Sequence, residues 1–211
     1  DPILTMNLPK YITASTGMDA LCQAIESFWS VNSTDVSKEY SRQAIKLAIS
    51  NLKEAVQTSS LESRRAMSQA AHLAGKAINI ARTTAPHAIS YPLTSHFGIP
   101  HGHAVGLTIG TILKYNGKMT KDEVADKRGL KYVQKMMAKL YEFLEVSGAE
   151  AAQKKIKNLM KAVGLEIKLQ NLGVKKDDFD FIISHLNLER FKNNPRILDA
   201  KNLKTILHSI Y

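Results

Sequence analysis

The chain has 211 residues, enough for one large domain or two small ones, and its hydrophobic content of 44% is ordinary for a soluble globular protein. The longest weakly polar run, Ala104 to Leu113, is too short to span a bilayer, and the single cysteine, Cys22, excludes an intrachain disulfide and suits a reducing, cytoplasmic compartment. The net charge of +10 invites a nucleic-acid reading, but the cations are spread along helices without interleaved aromatics, so a solvated basic surface is expected instead.

In chain order, the irregular opening DPILTMNLPK is expected to be a linker, residues 1–14, with Leu4 to Pro9 extended, following a domain outside this chain. Thr13, Ser15 and Thr16 are good caps for a first helix. On it Met18, Leu21, Cys22, Ile25, Phe28 and Trp29 repeat at helical spacing. Asp19 and Gln23 are one turn apart on one face, with Glu26 near it. Thr34 or Asp35 caps a second helix to about Val56. Ser59 with Glu62 makes a capping-box pattern for a third, through Ala81, whose small residues imply close packing; His72 on it is expected to be a core histidine. Further helices are expected over 102–115, 130–146, 149–163, 177–186 and 202–210. Asn116-Gly117 and Asn194-Pro195 are turns, and 165–173 is a loop. No alternating strand is present, and the chain is expected to be all-α over residues 15–211. Neither a phosphate-binding glycine loop, nor paired CxxC motifs, nor a GxSxG elbow occurs.

The segment Thr84 to Gly106, TAPHAISYPLTSHFGIPHGHAVG, carries His87, His96, His101 and His103, four of the seven histidines. Pro92 and Pro100 are expected to interrupt helix there. Helices beginning at Pro86 and just after Pro100 would direct His87 and His101 inward at their first turns, and neutral imidazole is a common metal ligand. The chemistry on offer is therefore a mixed oxygen and nitrogen site.

With Asp19 in TGMDALCQAIES, and with His87 and His101 fourteen apart, the second in Ile99-Pro100-His101-Gly102, the whole chain resembles the iron-containing (group III) alcohol dehydrogenases. The likeness is to their C-terminal, all-helical, metal-binding domain of the dehydroquinate synthase-like fold. It implies a preceding Rossmann-like nucleotide-binding domain that supplies NAD or NADP, a small alcohol or aldehyde substrate, a homo-oligomer, and an inactive chain when this half stands alone. No nucleic-acid or membrane partner is implied. Carried over residue by residue, the ligands of a divalent metal, Fe2+ or Zn2+, fall on Asp19, Gln23, His87 and His101. Gln23 departs from the family's imidazole; its carbonyl oxygen is a weaker donor, so either Gln23 or water completes the site, or the metal has been lost and the domain serves packing or association. Tyr91 stands where many members have a histidine near the nicotinamide and is a candidate catalytic residue or a packed aromatic. The segment's wording is most similar to the phosphonoacetaldehyde reductase subgroup, which implies an anionic substrate and makes Ser95, His96 and His103 candidates for contacting it.

Overall fold

The computed structural model describes residues 1–211. The chain folds into ten α-helices and four short 3-10 turns, and a lone bridge between Val124 and Arg196 is its only β pairing. The all-α expectation therefore holds. The helices are α1 (Lys10–Trp29), α2 (Asp35–Gln57), α3 (Leu61–Ala81), α4 (Ala85–Phe97), α5 (His101–Gly117), α6 (Leu130–Phe143), α7 (Ala149–Ala162), α8 (Phe179–Ser184), α9 (Leu188–Phe191) and α10 (Ala200–Ser209).

The structure is organised around α1. Its apolar residues do not stop at one stripe: from Thr13 to Trp29 nearly every side chain is buried, the pattern of a helix enclosed on all sides. It packs against α2 and α3 on one side and α5 on another, while α5 in turn carries α4 and α7. One continuous core runs from Met18, Leu21 and Ile25 through Ile45 and Leu52 to Ile109, Leu113, Ile156 and Phe179. Small residues set the helix spacing. The alanines at 70, 74 and 77 turn into the core from α3, and a side chain at Gly102 would run into the backbone of Ser15 and the Cβ of Asp19.

Several local expectations are corrected. Leu4 and Thr5, expected to be extended, instead end a 3-10 turn over Pro2–Thr5, and the Ser59 hydroxyl ties the adjoining Met6 carbonyl down at 2.9 Å. α1 begins at Lys10, before the expected caps, because those hydroxyls are used elsewhere. Thr13 Oγ1 accepts from Arg64 at 2.8 Å, Ser15 Oγ accepts the His103 amide at 3.1 Å, and Thr16 donates back to Ile12. The second helix keeps one of its two expected caps, Thr34, in a reciprocal pair with Ser37, while Asp35 is its first residue. At α3 the cap is Ser60 with Ser63, since Ser59 is in the left-handed region at φ 56°. Pro92 does not interrupt its helix; it is buried inside α4, where packing outweighs a helix-interior proline's cost of about 3 kcal/mol. Asn116-Gly117 is the last turn of α5, because the Asn116 amide is buried in a reciprocal pair with Asn194 at 3.0 and 3.2 Å. His72 lies exposed on α3, not in the core. No helix is long and apolar enough to cross a membrane.

Candidate metal centre

Three helices bring one donor each to a single point. Asp19 comes from the middle of α1, His87 from the first turn of α4 and His101 from the first residue of α5. Proline starts both histidine helices: Pro86 stands at the second position of α4, and Pro100 is the N-cap of α5. Gly98 closes α4 in the left-handed conformation at φ 67°, which turns the chain sharply enough for α5 to return alongside it. The missing side chain at Gly102 then lets α5 lie close upon α1, so that His101 faces Asp19.

The donor atoms of Asp19, His87 and His101 all lie within 4.8 Å of one another. Asp19 Oδ1 is 3.2 Å from His87 Nε2 and 3.8 Å from His101 Nε2. Each of these groups is anchored through its other polar atom. The Nδ1 edge of His87 is bonded to Glu26 Oε2. Ser90 donates its proton to the His87 carbonyl at 2.8 Å, so its lone pair is left to accept from His101 Nδ1 at 3.3 Å. The Gln23 amide donates to Asp19 Oδ2 at 2.9 Å. These bonds favour a proton on Nδ1 of each ring, which leaves Nε2 as the atom that would offer its lone pair to a metal, the orientation that outer hydrogen bonds impose on metal-binding histidines. Asp19 Oδ1 and His87 Nε2 are buried and have no hydrogen-bond partner. Unpartnered buried polar atoms are costly and rare, and two that face each other beside a third donor fit a cation between them.

Electrostatics point the same way. Burial by itself would keep His87 neutral, but the Glu26 and Asp19 carboxylates more than offset it and raise the pKa to about 9. Two carboxylates around one imidazole call for a positive charge, as a proton or as a metal ion. Burial instead pulls His101 below its ordinary value, opposed by Asp19 and aided by His87, which favours the neutral ring that a metal requires.

Glu26 is the residue that sequence reasoning left without a role. It is fully buried and its Oε1 accepts from the Thr84 amide at 2.8 Å, the Thr84 hydroxyl at 2.9 Å and the His87 amide at 3.4 Å. Trp29 extends this network by donating to Thr84 Oγ1 at 2.9 Å. The signal was available: Glu26 is an acidic residue inside the apolar run of α1, where it cannot reach water.

The centre opens onto a cleft of about 630 Å3. Gln23, His87, Tyr91 and His101 line it, joined by Arg82, Thr83 and Arg190. Gln23 is one turn along from Asp19, and with its nitrogen engaged there it steadies the carboxylate; turning the amide over would offer its oxygen to the centre but break that bond. The Tyr91 ring lies 5.7 Å from that of His101. Ser95, His96 and His103 lie outside the cleft lining. Ser95 bonds back to the Tyr91 carbonyl, and His96 packs edge-on against Phe181 and His185 at the surface. His103 is buried, bonded to Tyr11 at 3.1 Å and to the Glu166 carbonyl at 2.7 Å, where it pins the start of α1 to the segment after α7.

Residues 13–211 match the C-terminal region of the Fe-containing alcohol dehydrogenase family. The chain belongs to that family. It is 36% identical over 208 residues to the phosphonoacetaldehyde reductase of Streptomyces viridochromogenes, a match covering 98% of this chain and 51% of that protein. With the 1,3-propanediol dehydrogenase of Klebsiella pneumoniae it shares 33% identity across 86% of this chain and 46% of the relative. Among solved structures, the sulfoacetaldehyde reductase of Bifidobacterium kashiwanohense in complex with NAD+ superposes with a TM-score of 0.84 at 32% identity, over all of this chain and 53% of that one. The chain thus spans about half the length of the relatives it matches.

Proposed function

We propose that this chain is the metal-holding half of an NAD(P)-linked alcohol dehydrogenase that interconverts small aldehydes and alcohols. The observation that carries the reading is the triad of Asp19, His87 and His101, whose Nε2 and Oδ1 atoms converge while their other polar atoms are fastened by Gln23, Glu26 and Ser90. These three would hold a divalent cation. Two histidines and a carboxylate with open positions suit ferrous iron, in keeping with the family, and also suit zinc. When bound, the metal would supply Lewis-acid stabilisation of negative charge on the substrate oxygen, with the nicotinamide as hydride carrier.

The chain's own residues supply position and protection. Glu26 keeps the His87 proton on Nδ1, and Ser90 does the same for His101. Gln23 holds one oxygen of Asp19 and frees the other. Tyr91, beside His101 in the cleft, is proposed to place the substrate or relay its hydroxyl proton. A preceding nucleotide-binding domain would close the cleft from the other side and exclude water. The relatives' greater length and the NAD+ of the sulfoacetaldehyde reductase support this part of the reading.

The test is metal content by elemental mass spectrometry after anaerobic incubation with ferrous iron or zinc and desalting. Near-stoichiometric metal in the unaltered chain, lost in His101→Ala with the fold intact by circular dichroism, is the expected result. Equal metal in both proteins would remove His101 from the centre and the reading with it.

A further inference from the structure

The cleft beside the triad is lined mostly by polar and charged side chains, with Ile78 and Tyr91 its hydrophobic members. A pocket for a plain hydrocarbon alcohol would be lined mainly by apolar groups. It also contains two arginines, Arg82 and Arg190, and neither takes part in any ion pair of the chain. The one acidic residue on the cleft wall outside the triad, Glu189, is engaged by Lys192 through both carboxylate oxygens at 2.7 and 2.9 Å.

Arg190 is mounted rather than free. Its Nη1 donates to Thr83 Oγ1 at 2.9 Å, and its guanidinium lies over the Tyr91 ring with Cζ 4.8 Å from the ring centre. Thr83 is itself fixed, because its carbonyl accepts from Asn193 at 3.0 Å, and Asn193 is held in turn by Asn32. The Nε and Nη2 edge of Arg190 has no acceptor within the protein. A planar fork seated over an aromatic ring, with its remaining donors unused and no carboxylate neutralising it, is built to receive a tetrahedral oxyanion. The Tyr91 ring that carries this fork is itself 5.7 Å from the ring of His101, and all three side chains line the same cleft.

We propose that Arg190, with Arg82 on the wall of the same cleft, is the subsite for the acid head group of a short-chain aldehyde bearing a phosphonate or sulfonate, whose carbonyl end reaches the triad. This rests on the reading of the cleft as the carbonyl site. It assigns head-group recognition to α9 and the end of α3, away from Ser95, His96 and His103. The arginine selects the substrate, and the triad acts on it.

Two readouts separate this subsite from the reading beneath it. The first is calorimetric titration of this chain with ethanesulfonate, a poor metal ligand, for the unaltered protein, Arg190→Leu and Arg190→Lys. Binding weakened at least tenfold in the leucine variant and less in the lysine variant is expected, since lysine keeps the charge and loses the fork. The second is the ratio of kcat/KM for sulfoacetaldehyde to that for propanal in the full-length enzyme, expected to fall at least tenfold in Arg190→Leu. Thermal melts of both variants establish that they fold. Ethanesulfonate affinity within twofold in all three proteins overturns the subsite, even if propanal is reduced normally. Arginine-dependent ethanesulfonate binding with neither aldehyde turned over leaves the subsite standing and overturns the dehydrogenase reading instead. A parallel loss of both aldehydes, with the ratio unmoved, makes Arg190 a structural residue and also overturns the proposal.

Discussion

The ring of His87 rests its Nδ1 edge on the buried carboxylate of Glu26, 61 residues earlier in the chain. That contact decides which nitrogen of His87 faces the centre. It also explains why α1 tolerates an acid with no access to water. The carboxylate satisfies the first-turn amide of His87 and both donors of Thr84, so it caps α4 and orients its histidine at once.

Replacing Glu26 with glutamine tests this double role. An amide cannot accept from every donor that the carboxylate serves: its NH2 must face either the Thr84 amide or His87 Nδ1. The first choice leaves a buried clash of donors, and the second moves the His87 proton onto Nε2. A loss of about 1–3 kcal/mol in stability is expected, together with metal affinity about 10–100-fold lower. Denaturant melts and competition with a chromophoric chelator measure the two effects separately.

Gln23→His addresses the fourth ligand position. An imidazole one turn from Asp19 replaces a hydrogen bond to Oδ2 with a nitrogen donor of its own. Metal affinity on the order of tenfold or more higher is expected, since imidazole is the stronger donor for iron and zinc. Unchanged affinity in the same chelator competition would show that the side chain at 23 does not reach the ion.

Gly102→Ala probes the crossing of α1 and α5. The added Cβ would meet the Ser15 carbonyl oxygen and the Asp19 Cβ, backbone and side chain of the same helix. Neither can move far inside α1, so the helices must separate. About 1–3 kcal/mol of destabilisation is expected from overpacking, and the His101 to Asp19 spacing should widen enough to weaken metal binding. Gly75→Ala is the matched control, because nothing lies near its would-be Cβ. It should leave stability unchanged or slightly raised, as alanine is the better helix former.

Acid should unfasten the C-terminal segment. Glu123 is held well below its ordinary carboxylate value, at about 2, by the Thr120 amide, the Arg196 guanidinium and the Thr120 hydroxyl. It joins the turn at Lys121–Glu123 to Arg196, beside the bridge between Val124 and Arg196. Its folded-state value is depressed, so the unfolded chain binds more protons between about pH 2 and the ordinary value of 4.5. Its contribution is therefore present above that value and is lost as pH falls toward 2. Glu123→Gln should melt lower than the parent at pH 7 and coincide with it near pH 2. A constant gap between the two melting curves across this range would show that the carboxylate's charge is not what holds the segment.

The long helices were legible in the residues because their causes are local. Repeating apolar positions, the Thr34 cap and the proline-initiated turns before His87 and His101 act within a few neighbours. The donor types at Asp19, His87 and His101 were legible as well, through the spacing of a known family. Periodicity says which face of a helix is apolar, but not what that face meets. So Pro92 could be read as a break, until packing enclosed it, and His72 as a core residue, although it faces outward. Among the clustered histidines, only folding separates His101, which turns to Asp19, from His103, two residues later, which turns to Tyr11 and Glu166. Glu26 acquires its role across 61 residues of chain. Arg190 lies in α9, a helix of four residues that is too short to carry a periodic signal. Local chemistry thus established the helices and the candidate donors. The convergence of α1, α4, α5 and α9 decided which side chains share a centre, because contacts between residues far apart in sequence exist only once the core has packed.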